Sequence, residues 1–150
     1  MIDPYSMKRP VAKEEARTFE ENGETLALTF RERNDFTRQV LGADKYSLYV
    51  RRYITGEPVT GEDGVTRLET STLRAVDGVI PAVSESLCDL IATLETMQVP
   101  TDSQPMLAFD QWAALGLVMP GTMTKVQSWA VAIESKKVEA KNDFGEAAAP

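Results

Sequence analysis

Residues 84–97, SESLCDLIATLETM, decide the fold. Their apolar side chains recur at intervals of three and four residues, which places them along one stripe of a helix. These side chains are Leu87, Leu90, Ile91, Leu94 and Met97. Ser84 stands where an N-cap hydroxyl is expected, and Pro100 follows as a stop signal. The sequence therefore predicts an amphipathic helix whose stripe packs into the core of its own chain.

Three more helices are predicted upstream. The first begins at Asn34 or Asp35, either of which can cap it, carries Phe36, Val40 and Leu41, and ends at Gly42. The second covers residues 43–54 and gathers Tyr46, Tyr49, Val50 and Tyr53 on one face. The third covers residues 68–80, with Leu73, Val76, Val79 and Ile80 at helical spacing, and Pro81 is expected to kink or end it.

Residues 24–32, ETLALTFRE, predict a β-strand because apolar and polar side chains alternate. Leu26, Leu28 and Phe30 share the side expected to face the core. The turn pair Asn22-Gly23 precedes the strand, so residues 11–22 suit either a hairpin partner or a short charged helix. Both options stay open from the sequence. Residues 56–65, GEPVTGEDGV, predict either an exposed connection or a second hairpin that turns at Asp63-Gly64.

Residues 106–119, MLAFDQWAALGLVM, are apolar almost all round and follow a linker at residues 100–105. Such a helix is either buried in its own domain or covered by a partner. Because tryptophan anchors many interfaces, the functional hypothesis is a partner-binding surface, and core packing is the alternative. The predicted partner-binding residues are Phe109, Trp112, Leu115, Leu117, Val118 and Trp129. Trp129 belongs to a last helix, which Thr122 is expected to cap after the break at Pro120-Gly121.

These elements predict a mainly α protein: a helical domain with a short N-terminal β-strand or hairpin, of the α+β kind. A chain of 150 residues suits one domain. The expected organisation is an N-terminal arm at residues 1–23, a single mainly helical domain at residues 24–135, and a charged helix end and tail at residues 136–150.

Composition limits the chemistry of the chain, which has no histidine and one cysteine. Without imidazole there is no Ser-His-Asp or Cys-His catalysis and no His-ligated zinc. Cys88 cannot form an internal disulfide, which fits a reducing cytoplasm. Phosphate-binding loops of the GxxxxGK[ST] and GxGxxG types are absent from the sequence. We therefore expect no catalytic, cofactor-binding or metal-binding residues, and a protein that is not an enzyme.

The net charge of −7 is concentrated in one part of the chain. Residues 56–100 hold 2 Lys+Arg and 8 Asp+Glu, a local charge of −6. The acidity disfavours nucleic acid as a partner, although arginines and tyrosines are interleaved between residues 31 and 53. Residues 106–119 are shorter than the roughly 20 residues of a membrane span, and residues 1–20 lack the apolar core of a secretory signal. The expected partners are other protein subunits, a second copy of the chain among them.

From residue 24 to residue 98 the chain resembles small bacteriophage tail-morphogenesis proteins, especially tail assembly chaperones. The resemblance rests on the strand TLALTFRE, the run Arg-Glu-Arg-Asn-Asp at residues 31–35, the tyrosine-rich helix, the acidic loop and the amphipathic helix. It implies a protein that uses apolar surfaces to hold the tape-measure protein and to recruit tail-tube subunits. A small tail, neck or baseplate subunit is the related possibility. Either would act in the cytoplasm of the bacterial host or be incorporated in the virion.

The alternative function from the residues is a small cytoplasmic regulatory or adaptor domain. It would bind one host protein through the helices that carry Trp112 and Trp129.

Overall fold

The computed structural model describes residues 2–8 and 13–148, and it describes side chains as far as residue 134. A 3-10 turn, Pro4–Ser6, is followed by strands β1, Glu14–Glu21, and β2, Glu24–Arg31. Helix α1, Ala43–Val50, continues directly from a π-helical turn, Thr37–Gly42, and into another, Arg51–Thr55. Then come β3, Glu57–Thr60; β4, Thr66–Glu69; α2, Glu85–Met97; α3, Phe109–Val118; and α4, Pro120–Ala148.

The described residues form four α-helices and two separate two-stranded antiparallel sheets, so the fold is α+β. The prediction of a mainly α domain with one short strand or hairpin is wrong, because the acidic loop is itself a hairpin. A hairpin is one of the two options that the sequence allows for residues 56–65.

The helix predicted for residues 68–80 does not form. Val76 and Val79 pair in an isolated antiparallel bridge, and between them Asp77 and Gly78 have φ angles of 50° and 78°. An Asp-Gly pair with positive φ at both positions is the two-residue turn that reverses a chain most tightly. The turn chemistry of this pair therefore outweighs the helical spacing of the valines around it.

The first hairpin, β1–β2, confirms one of the two options for the residues before the strand. Glu21 pairs with Glu24 across the turn, where Asn22 and Gly23 have φ angles of 54° and 80°. Leu26, Leu28 and Phe30 are buried on one face, as the alternation predicts. Residues 14–21 thus belong to a sheet, and the predicted N-terminal arm cannot extend to residue 23.

The helix around α1 begins as predicted but ends elsewhere. The side chain of Asn34 accepts the N–H of Thr37 at 2.7 Å and so caps the first turn. Gly42 keeps helical angles, and the helix ends only at Gly56, where φ is 92°. A Cβ at Gly42 would lie 3.3 Å from Nη1 of Arg33. The absence of a side chain at Gly42 therefore leaves room for the Arg33 guanidinium, and the residue does not end the helix. The apolar residues of this first turn, Phe36, Val40 and Leu41, are exposed.

Helix α2 confirms the predicted amphipathic helix with its cap at Ser84. The hydroxyl of Ser84 accepts the N–H of Leu87 at 3.1 Å, and Ile91, Leu94 and Met97 are buried. The chain after α2 then adds to β2, because the N–H of Val99 donates to the carbonyl of Thr29 at 2.8 Å. The core therefore lies between the first hairpin and the helices.

Helix α4 begins at Pro120, so the predicted cap at Thr122 is wrong. Proline suits the first turn of a helix because its missing N–H would have no intrahelical partner there. Thr122 is instead buried, and its N–H donates to Glu21 at the turn of the first hairpin. The side chains of the predicted charged end, residues 136–150, lie outside the described residues.

Candidate protein-binding surface

The structure divides the six predicted partner-binding residues into two groups. Phe109, Trp112 and Trp129 are buried, with 4%, 1% and 2% of their surface exposed. Leu115 is half-buried and packs against the core, whereas Leu117 and Val118 are 42% and 46% exposed. The partner-binding interpretation is therefore corrected for the two tryptophans and the phenylalanine, because the chain itself covers them.

Trp129 joins α4 to the first hairpin. Its ring stacks on Phe30 at a centroid distance of 4.4 Å, and Phe19 lies 5.9 Å away. Its indole N–H donates to Oε2 of Glu15 at 2.8 Å, and the guanidinium of Arg17 lies 5.2 Å from the ring centre. A buried tryptophan with a satisfied N–H is an internal anchor.

Phe109 and Trp112 seat α3 on the rest of the domain. The ring of Phe109 lies 4.5 Å from the rings of both Tyr49 and Tyr53. Trp112 is enclosed, and its indole nitrogen has no hydrogen-bond partner among the residues that the structure describes. When a helix is apolar on all sides, its sequence does not show whether its own chain or a partner covers it. Here its own chain buries Phe109, Trp112 and Ala113 and leaves Leu117 and Val118 exposed.

The exposed end of α3 borders a groove. The groove has a volume of about 320 Å³ and is lined by Val76, Asp77, Val79, Leu117 and Val118. The Asp77-Gly78 turn therefore carries its two flanking valines to the C-terminal end of α3. Val79 is 53% exposed. Sequence analysis found the α3 side of this groove but missed the other, because it assigned residues 68–80 to a helix.

A second depression of about 340 Å³ lies on the same helix. Arg74, Ala75 and Val76 line it from the turn, and Asp110, Gln111 and Ala114 line it from α3. The outer surface of α3 therefore changes from polar near its N-terminus to aliphatic near its C-terminus. Val76 belongs to both depressions. We call the aliphatic part, Val76, Val79, Leu117 and Val118, the α3 groove.

A buried acid that sequence analysis missed lies between α1 and α2. Glu95 is 6% exposed; it accepts a hydrogen bond from the hydroxyl of Tyr49 and forms an ion pair with Nζ of Lys45 at 3.0 Å. Burial, and then the hydrogen bond to this carboxylate, raise the pKa of Tyr49 well above its usual range. A signal was present, because Glu95 follows Ile91 by four residues and so shares the buried stripe. The cluster ties two helices together and lines neither depression of α3.

A second charged cluster holds α4 against α2. Nε of Arg33 donates to Oε1 of Glu134 at 2.8 Å, and Nη1 donates to the hydroxyl of Thr96 at 3.0 Å. Arg38 lies 3.8 Å from the other oxygen of Glu134. Arg33 and Glu134 are 101 residues apart, so no local pattern in the sequence could have paired them.

The remaining observations concern other kinds of site. Among the side chains that the structure describes, those of residues 2–8 and 13–134, no group of three or more His, Cys, Asp or Glu is placed to hold a metal ion. None of the described helices is both long enough and apolar enough to cross a membrane.

Comparisons with protein-family models, with curated proteins and with solved structures give no match to this chain.

Proposed function

We propose that this protein is a non-enzymatic bacteriophage assembly or structural protein that acts by binding other protein subunits in tail or head-tail morphogenesis. The observation that supports the binding role is the α3 groove. Leu117, Val118 and Val79 are each more than 40% exposed there, beside a core that is already complete without them. Clustered exposed aliphatic side chains mark protein-binding surfaces more often than scattered ones do. The phage context comes from the resemblance over residues 24–98.

The groove suits an apolar anchor from a partner. Its aliphatic walls come from two rigid elements, the end of α3 and the tight turn at Asp77-Gly78. A site whose walls are already formed requires little ordering when a partner binds, which favours affinity. Asp77 on its rim adds one carboxylate that can orient a polar group of the partner.

The test is co-purification of the tagged chain with the phage structural proteins encoded next to its own gene. Val118→Glu places a charge in the groove, and Val131→Glu is the matched control because Val131 is 59% exposed on α4 and does not line the groove. We expect the wild-type chain and the control to co-elute with a structural subunit, and Val118→Glu to bind it at least about tenfold more weakly. Denaturation curves verify that both variants fold.

Two results would contradict the proposal. In one, Val118→Glu binds the subunit as tightly as Val131→Glu does. In the other, the wild-type chain is strictly monomeric and captures no structural subunit from phage-producing cells.

A further inference from the structure

The second hairpin, β3–β4, is well formed but almost uncovered. All four residues of β4 and three of the four in β3 are exposed, and Leu68 is 70% exposed. An isolated two-stranded hairpin is marginally stable in water, and further strands stabilise it. The hairpin is therefore a candidate for pairing with a strand of another molecule.

This hairpin is fixed at its base and at its turn. At the base, the N–H of Ser71 donates to the carbonyl of Arg52 at 2.8 Å. At the turn, Asp63 accepts the N–H of Val65 at 3.1 Å and forms an ion pair with Arg67 at 3.3 Å. Because both ends are held, little further ordering is needed when another strand pairs with the hairpin.

The hydrogen bonds at the turn determine which backbone groups point outward. The N–H of Gly61 donates to the carbonyl of Val65 at 3.0 Å, so this pair is of the hydrogen-bonded kind. The two kinds of pair alternate along an antiparallel ladder, and the next pair, Thr60 and Thr66, is therefore not hydrogen-bonded. In such a pair the backbone N–H and C=O groups point away from the hairpin.

The two edges of the hairpin differ in what they can bind. The outer edge of β3 lacks a donor at Pro58, as protected sheet edges often do. The outer edge of β4 keeps the N–H and C=O groups of Thr66 and Leu68, and none of the described residues bonds to them. Since the N–H of Ser71 points back to the base, the same alternation turns the groups of Thr70 outward. The edge of β4 is thus open to an added strand.

The charged side chains of β4 indicate the chemistry of the added strand. Arg67 and Glu69 lie two positions apart and so share one face of the strand. Within the hairpin, Glu69 lies directly opposite Glu57, an arrangement that is destabilising for like charges. Arg51 reaches Glu57 at 3.4 Å, whereas no cation among the described side chains lies within ion-pair distance of Glu69. A cation on the open side of β4 would therefore stabilise Glu69.

A second copy of β4 supplies that cation when the register is right. If two β4 strands pair antiparallel about a two-fold axis at Leu68, Arg67 of each copy lies directly opposite Glu69 of the other. An axis one residue earlier places Arg67 opposite itself, and an axis one residue later places Glu69 opposite itself. With the axis at Leu68, the outward N–H of each leucine meets the carbonyl of the other, and the two exposed side chains meet on the second face. The edge is thus complementary to itself.

The antiparallel arrangement also keeps the acidic turns of the two copies apart. Glu62 and Asp63 of one copy lie roughly ten residues along the paired strands from the same residues of the other, which is about 30 Å. This distance exceeds the Debye length of about 8 Å at physiological ionic strength. Repulsion between the turns is therefore screened, whereas the charges opposed across the axis are in contact.

We propose that the chain forms a two-fold symmetric dimer in which the β4 edges of two copies pair antiparallel about Leu68. The strand order is then β3–β4–β4–β3, and the Pro58-bearing edge of β3 closes each side against further addition. Strands this short bury little surface, so the dimer dissociates on dilution and the monomer keeps the hairpin open. The inference does not depend on the α3 groove, which is a separate surface.

The test is sedimentation equilibrium of the full chain at concentrations up to about 1 mM. Arg67→Glu and Glu69→Arg each place like charges opposite each other across the axis. Glu62→Arg is the matched control, because it changes the charge by the same amount as Glu69→Arg at an exposed residue of the turn. We expect the wild type and Glu62→Arg to dimerise alike, and each of the other two variants alone to associate at least about tenfold more weakly.

A mixture of Arg67→Glu with Glu69→Arg gives the sharpest result. In a mixed pair, residue 67 of each copy again lies opposite a residue 69 of the other sign. We expect the mixture to associate about as tightly as the wild type. A variant that had merely failed to fold could not be rescued in this way.

Amide hydrogen exchange on the unaltered chain tests the same pairing without a substitution. As the concentration rises, the amides of Thr66, Leu68 and Thr70 should become protected, whereas that of Thr60, on the other edge, should not. A wild type that stays monomeric up to about 1 mM would overturn the proposal. So would a mixture of the two variants that fails to associate, or a dimer that neither charge reversal weakens, because such a dimer would use another surface.

Discussion

The two hairpins share an antiparallel backbone and differ in what covers them. In β1–β2, the side chains of Phe19, Leu26, Leu28 and Phe30 are buried. In β3–β4, every described strand residue except the first is exposed. The first turns through Asn22-Gly23, where both residues have positive φ, and the second turns through residues 62–64, among which Gly64 has positive φ. The difference teaches that the role of a hairpin here is set by the helix that lies over it.

Contacts between distant parts of the chain provide the cover of the first hairpin. Trp129 stacks on Phe30 and donates to Glu15, which lies 114 residues earlier. Thr122, at the start of α4, donates its N–H to Glu21 at 2.6 Å. Helix α4 is thus held to both ends of β1. No comparable contact from a helix reaches the strands of the second hairpin beyond its base at Arg51–Thr55, as far as the structure describes the chain.

The largest expected difference between the hairpins is in the cost of removing a side chain. Phe30→Ala should lower the free energy of unfolding by about 3–5 kcal/mol, because it leaves a cavity under Trp129. Leu68→Ala, its counterpart in β4, should change it by less than about 0.5 kcal/mol, because the side chain is already in water. Urea denaturation of both variants measures the two values. Similar costs would mean that the second hairpin packs into the core after all.

A smaller difference is expected at the glycines with positive φ. Gly23→Ala, at φ 80°, should cost about 1 kcal/mol, because the turn belongs to the cooperative core. Gly56→Ala is strained twice, since φ is 92° and its Cβ would lie 3.2 Å from the backbone nitrogen of Glu69. Its effect on global unfolding should nevertheless be the smaller, because the chain can release the second hairpin locally. Thermal denaturation measures the loss of global stability, and amide hydrogen exchange at β4 measures local opening of the second hairpin. A larger loss of global stability for Gly56→Ala than for Gly23→Ala would contradict this prediction.

The smallest expected effect is a change in the pH dependence of stability. The N–H of Thr122, at the start of α4, holds the pKa of Glu21 below its usual value of 4.5. Because the folded-state pKa is lowered, the stabilisation is complete above the unfolded value and disappears as pH falls through the folded one. Glu21→Gln should therefore be less stable than the wild type at pH 7, and the difference should shrink below about pH 4.5. Melting temperatures of the wild type and Glu21→Gln between pH 7 and pH 4 test this prediction. Glu62→Gln, in the second hairpin, is the control and should match the wild type at pH 7. A difference between Glu21→Gln and the wild type that persists unchanged at low pH would count against the contact.

Local signals in the sequence predicted the elements whose determinants are near neighbours. The Ser84 cap, the stripe of α2 and the alternation of Leu26, Leu28 and Phe30 each depend on residues within about four positions of one another. They failed where two local signals competed. Val76, Val79 and Ile80 have helical spacing, but the Asp77-Gly78 turn between them decides the structure.

The candidate binding surface was predictable only in part, for a physical reason. The sequence identifies α3 as apolar on all sides, but burial of Trp112 and exposure of Val118 depend on which elements fold over each end. The pairing of Arg33 with Glu134 and of Glu15 with Trp129 spans more than one hundred residues, so no periodicity encodes it. The opposite wall of the α3 groove was missed because it is made by a turn that had been assigned to a helix.

The central claim is that one hairpin belongs to the core while the other is held in place but left open. Native-state amide hydrogen exchange tests it most directly, because each amide reports the free energy of the opening that exposes it. The account predicts that the paired amides of β1–β2 exchange with nearly the global free energy of unfolding, and that those of β3–β4 exchange about 100-fold faster or more. Equal protection of the two hairpins in the monomeric chain would contradict it.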